Sequence, residues 1–195
     1  MRKASGAIIA ATMLLLCGCQ KKEAVAAPTI NNSMTKIMQP NAEVIWDLMS
    51  SAYNDKGDAL VADKISEAGW KSLADATQKM KDRAQILADA EHLVVADANE
   101  PIMGSDAAAK GVKGEAGPDW DAVSAQQVQA KIDGNRKLFS EKARILVDAA
   151  DKMNRAAATK DAALLYRVGS ELDEVCDGCH EPFWGTDEPP PFPKQ

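Results

Sequence analysis

Cys176-Asp177-Gly178-Cys179-His180 ends 15 residues before the C-terminus, and the rest of the chain is read outward from it. Cys-x-x-Cys-His is the attachment signature of a c-type haem. Two thiols add to the two vinyl groups of one porphyrin, so they must stand close together on one side of the chain. The imidazole that follows goes to the iron. On a helix, positions i, i+3 and i+4 share a face, so Cys176, Cys179 and His180 can meet one group. The expected cofactor is one covalent haem c, with His180 as an axial iron ligand. Two other chemistries use the same residue types. A dithiol redox motif needs a βαβ context, and the sequence around this one has helical periodicity. A structural zinc site needs a fourth ligand. The only other histidine is His92, and the other cysteines, Cys17 and Cys19, lie near the N-terminus.

That N-terminus places the chain in a compartment. Arg2 and Lys3 precede an apolar run from Ala7 to Leu16, a secretory signal too short to span a bilayer permanently. Leu16-Cys17-Gly18-Cys19 resembles a bacterial lipobox, with Leu three residues before the modified cysteine and a small residue just before it. The resemblance implies cleavage after Gly18 and lipid on Cys19. An ordinary signal peptide competes, because Ala24-Val25-Ala26 has the small-x-small form for a cut after Ala26, giving a soluble periplasmic protein. Cysteine usage then closes: Cys17 is discarded, Cys19 lipidated, and Cys176 and Cys179 hold haem. No thiol is left for a disulfide, although an exported protein can have one. Gln20 after the lipidated position, with no Asp there, resembles outer-membrane sorting and favours the outer over the inner membrane.

Removing Arg2 and Lys3 with the signal leaves 21 basic residues against 29 acidic ones, a net charge of −8. An acidic protein repels nucleic acid and anionic membrane surfaces, so attachment to a membrane is expected through lipid alone. A redox partner steered by charge is expected to carry a basic patch. A second copy of the chain is the other candidate partner.

Aromatic residues make up 5% of the chain, and no β-branched alternation appears. Residues 1–18 are expected as the lipoprotein signal peptide and 19–32 as a tether. Residues 33–184 are expected as one helical domain and 185–195 as a proline-rich tail in polyproline II. Four helical patterns fill the domain. The first is capped by Ser33 and carries Met34, Ile37, Met38, Asn41, Ile45 and Leu48 on one face. Pro40 should kink it or mark a fresh first position. The second runs from about Ser66 to Val95. A crossover rich in glycine and proline occupies 97–119. The third opens at Ser124 with a capping box to Gln127 and runs past Gly134 to Ala157. The fourth, capped by Thr159, carries Leu165, Val168, Leu172, Cys176 and Cys179, and Pro182 limits it.

Four helices with a single Cys-x-x-Cys-His at the end of the last resemble the cytochrome c prime class. The resemblance covers roughly residues 34–184, and the position of the motif is its specific part. It implies an all-α, antiparallel four-helix bundle with one haem c near the C-terminus and a distal pocket lined by the first helix. The chain departs from the class in two places. Glu181-Pro182-Phe183-Trp184 follows the motif where a basic residue is usual, and the first helix lacks the usual arginine, Lys36 being its only basic residue.

The sixth iron ligand divides the functional readings. Met38, with Met34 as the alternative one turn away, is the candidate second axial ligand; a thioether suits electron transfer and raises the potential. Methionines at helical spacing also serve as plain core filling. The first reading is a lipid-anchored periplasmic c-type cytochrome that carries single electrons. The second is a haem protein that binds gases at a vacant or displaceable sixth site. The third is a zinc-binding lipoprotein. No paired carboxylates, nucleophile constellation or phosphate loop appears, so no enzyme and no catalytic residue is expected beyond the haem. His92 is read as a surface residue. Trp46, Trp70, Trp120 and Trp184 are read as packing groups.

Overall fold

Thr29, rather than Ser33, starts the first helix. Its hydroxyl accepts a hydrogen bond from the Asn32 N–H at 3.1 Å, while Ser33 lies buried inside. The chain was analysed as a computed structural model, which describes residues 28–98, 100, 102 and 123–184. The expected signal peptide, Cys19, most of the tether, most of the 97–119 crossover, Trp120 and the 185–195 tail lie outside those residues. Among the described residues the structure is helical, without strands. Its elements are α1 (Ile30–Ser33), a π-helical turn (Met34–Met38), α2 (Gln39–Ala52), a 3₁₀ turn (Ala62–Lys64), α3 (Glu67–Asp89), α4 (Ala125–Gly134), α5 (Arg136–Thr159), α6 (Ala162–Gly169) and α7 (Leu172–Trp184).

Pro40 does mark a fresh start, at the opening of α2, but the helix is not broken. A proline there has no N–H to donate, and its ring presses on the carbonyl four residues back. The backbone answers with a wider turn, in which the Gln39 N–H reaches the Met34 carbonyl, five residues back. Such single π turns inside α-helices are frequent at functional sites. Asn41 Nδ2 donates to the Ile37 carbonyl at 2.6 Å and ties the turn from within.

α3 stops at Asp89, six residues before the expected end at Val95. Side chains of α5 take its last carbonyls: Arg136 Nη2 donates to Leu87 and Ala90, at 3.0 and 2.5 Å, and Ser140 Oγ to Ala88 at 2.7 Å. The chain then leaves extended. Leu93 and Val95 are buried and Val94 is 53% exposed, a period of two that the helical pattern had absorbed. The N–H groups of Ile30 and Asn31 donate to the carbonyls of Val94 and Val95, at 2.9 and 2.8 Å, and pin the start of α1 there.

The third and fourth patterns each divide. The Ser124–Gln127 capping box forms as expected. The helix then ends at Gly134, and Asn135 caps a new one, α5, by accepting from the Leu138 N–H. α5 closes on Lys160 in the left-handed region (φ 52°), with the Asp161 N–H reaching the Ala156 carbonyl at 2.9 Å, a Schellman-type end. Asp161, not Thr159, caps α6 through the Leu164 N–H at 2.9 Å. A short break after Gly169 separates α6 from α7, and α7 runs through Pro182 to Trp184.

α3 and α5 share the most extensive contact and run antiparallel. Their cross-links come in reversed order: Glu67 with Lys160, the Ala74 carbonyl with Asn154, Lys81 with Asp151, and Asp89 with Arg144. α2 lies against α3, and α6 and α7 lie against α5. The core between them holds Leu73, Met80, Leu87, Ala150, Met153 and Leu165, each at most 2% exposed. Burying one such large side chain stabilises the fold by about 1.5–3 kcal/mol. At one end of α2 the packing is tight. Met49 is buried against Gly169, where a Cβ would overlap its sulfur, and Tyr53 meets Tyr166 edge-on with ring centres 6.0 Å apart.

Candidate functional site

At the other end of α2 the helices part around a cavity of about 440 Å³, within the usual size of a small-molecule or cofactor site. α7 supplies Val175, Cys176, Cys179, His180 and Trp184 to its wall. The motif is helical, so its i, i+3 and i+4 positions share a face, as the spacing required. α1, the π turn and α2 supply Asn31, Met34, Met38, Gln39, Ala42, Glu43 and Trp46. α3 closes the floor with Met80, Ala84 and Leu87, and α5 closes one side with Phe139, Lys142, Ala143 and Leu146. The cavity therefore brings together Cys176, Cys179, His180, Met38 and Met34. Met38 is 6% exposed, and Met34 is half-buried. Cys19 lies outside the described residues.

The thiols and the imidazole are neutral in this setting. Burial pushes the thiols of Cys176 and Cys179 up to about 11. Asp173 adds to the rise at Cys176, and the Lys142 ammonium works against it at Cys179. His180 is exposed, yet desolvation by the surrounding protein still lowers its pKa from 6.5. A neutral imidazole offers the lone pair that a metal needs. Among the described residues no group of three or more His, Cys, Asp or Glu side chains is placed to hold a metal ion.

Phe183 packs beneath the motif, edge-on to Phe139 with ring centres 5.4 Å apart. Trp46 and Trp184, read from sequence as packing groups, line the cavity itself, whereas Trp70 is buried in the core. His92 is exposed and away from the cavity, as read.

Lys142 was missed. It stands one turn after Phe139, next to Ala143 on a helix face whose apolar periodicity hides a single charge. Its ammonium lies against the motif, 3.7 Å from where a Cβ on Gly178 would sit. No described residue forms an ion pair with it. Gln39 and Glu43, joined by a hydrogen bond at 3.1 Å, were missed as well; on this helix the sequence drew attention to methionines and to basic residues.

The residues present fit a covalently held haem: two adjacent thiols, a neutral imidazole one position on, and a largely apolar chamber against which all three stand. No family model, no curated protein and no solved structure matches the chain.

Proposed function

We propose that the chain is a lipid-anchored c-type cytochrome of the periplasm that carries single electrons, built as an antiparallel four-helix bundle around one haem c. The observation that carries this reading is convergence. Two cysteines and a histidine from α7 and two methionines from the opposite wall line one apolar cavity. In this reading Cys176 and Cys179 would hold the porphyrin through thioethers, His180 would give its imidazole to the iron, and Met38, with Met34 the alternative, would give a thioether sulfur. When bound, the group supplies a reversible one-electron change between ferric and ferrous iron. The chain's own part is to hold and to exclude. The walls from Met80, Leu87, Phe139 and Leu146 keep water from the chamber, which favours the less charged state of whatever it encloses. A thioether on the iron favours the ferrous form further. Lipid on Cys19 would hold the protein at the outer membrane, and the acidic surface would select a partner with a basic patch.

Absorption spectra of the oxidised and reduced protein test the reading directly. A His/Met site gives low-spin spectra in both states, and carbon monoxide adds to the ferrous form only by displacing sulfur. High-spin ferrous protein that takes up carbon monoxide or nitric oxide at once puts the gas-binding reading first. Purified protein with zinc and no haem band ends both. The anchor is tested separately: Cys19→Ser should release the protein from membranes, because lipid is its only hold there. An unlipidated N-terminus at Ala27 would replace the anchor with a plain signal peptide.

A further inference from the structure

Besides the two thiols, three groups that can carry charge line the cavity: His180, Lys142 on α5 and Glu43 on α2. His180 is neutral and committed to the iron in the reading above. The other two stand on separate walls and have opposite sign. Lys142 is half-buried, lies against Gly178 between the two cysteines, and forms no ion pair with a described residue. Glu43 is exposed at the surface and accepts a hydrogen bond from Gln39.

We propose that Lys142 and Glu43 are the opposed charges that set the reduction equilibrium of the group held by Cys176, Cys179 and His180, with Lys142 the stronger. The inference rests on the cytochrome reading and adds to it the residues that tune the site. One-electron reduction lowers the charge of the site by one unit. A fixed ammonium beside it favours the reduced state, and a fixed carboxylate favours the oxidised state. The size of each effect follows distance and local dielectric. Lys142 stands close to the motif at Gly178 and is half-buried, so its field is less screened than that of a charge in open water. Glu43 stands in water, where salt screens it. Lys142 thus supplies from α5 a positive charge that Glu181-Pro182-Phe183-Trp184 does not supply after the motif.

The test is potentiometric titration of the haem-loaded protein, with spin state and covalent attachment recorded for every variant. Lys142→Gln should move the reduction equilibrium toward the oxidised form by about three- to tenfold, a fall of about 30–59 mV at one electron. Lys142→Arg should leave it within about twofold, since the charge is kept. Glu43→Gln should move it the opposite way by about twofold, an effect that fades at 1 M salt while that of Lys142→Gln largely persists. Lys142→Met replaces Lys142→Gln if the amide variant does not fold. The proposal is overturned if neutralising Lys142 in loaded, low-spin protein leaves the equilibrium within twofold. It is equally overturned if the Lys142 and Glu43 variants shift it in the same direction, which marks a packing effect. A wild-type protein with no haem band removes the cytochrome reading instead, an outcome visible before any variant is titrated.

Discussion

A buried methionine stands at each end of α2, Met38 in the π turn just before it and Met49 near its close, and the two live in different surroundings. Met49 is 4% exposed and Met38 6%. By residue type and burial they are the same. Met49 is pressed into the backbone of Gly169, among Ile45 and Leu165. Met38 borders a cavity of about 440 Å³ whose far wall is a cysteine–histidine motif. A methionine stripe thus does not declare its role by pattern or by depth. What faces the sulfur decides. At one end it is a glycine that makes room for it, and at the other a chamber whose lining also holds Met34, Met80 and the two cysteines of the motif.

The largest effect expected concerns the chamber end alone. The double variant Cys176→Ala, Cys179→Ala should lose all haem that resists acid–acetone extraction, while wild-type haem stays on the protein. Its haem-free form should melt close to haem-free wild type, because neither thiol is part of the tight end. A large fall in melting temperature would show that the two ends are one cooperative packing unit.

The next test sets the methionines against each other in haem-free protein. Met49→Ala should cost about 2–5 kcal/mol by denaturant titration, since it opens a new void in a filled core. Met38→Ala should cost less than half of that, because it enlarges a chamber already present. Gly169→Ala should cost about 1–3 kcal/mol, by driving the Met49 thioether off its seat. Equal losses for Met38→Ala and Met49→Ala would erase the distinction between the ends. In loaded protein the order reverses in kind: Met38→Ala should turn the spectrum high-spin and lower the potential, Met49→Ala should leave the spectrum low-spin, and Met34→Ala should do little. If Met34→Ala opens the site and Met38→Ala does not, the ligand is one turn away.

The smallest effect is a pH dependence of haem-free stability. Desolvation holds the His180 pKa below its unfolded value of 6.5, so the unfolded chain binds the proton more readily. Stability should therefore be complete above pH 6.5 and decline as pH falls from there toward the folded pKa. The His180→Gln variant should lack that part of the slope. A slope of the opposite sign that vanishes in His180→Gln would mean that the ring gains an anionic partner on folding.

Much of the site was legible because its chemistry is written in adjacent residues. Cys176, Cys179 and His180 needed only a helix to share a face, and Met34 and Met38 needed only the periodicity of the first helix. Lys142 was not legible. A lone cation on an otherwise apolar face reads as a solvated side chain until another helix is laid beside it. Helical content was legible from the same periodicity, whereas helix ends were not. The end of α3 is set by Arg136 and Ser140, which lie about 50 residues further on, and no local pattern announces them. Asn135, directly after Gly134, and Asp161, directly after the left-handed Lys160, each begin a helix inside what read as one pattern or at its edge, because a capping side chain beside a weak position outweighs propensity.

The π turn at Met34–Met38 has a further consequence, for descent rather than chemistry. It holds one residue more than a regular helical turn needs, between a start pinned to Val94 and Val95 and a body packed on α3. In an α-helix each residue turns the chain by about 100° and advances it 1.5 Å. Losing one residue within α2 would swing everything before it to a wrong face. Losing one at the π turn would only restore an ordinary helix, with both flanks still seated. Shortening by a single codon is thus best accommodated at this point of the first helix, beside the wall of the cavity, where lineages could vary the chamber and keep the scaffold.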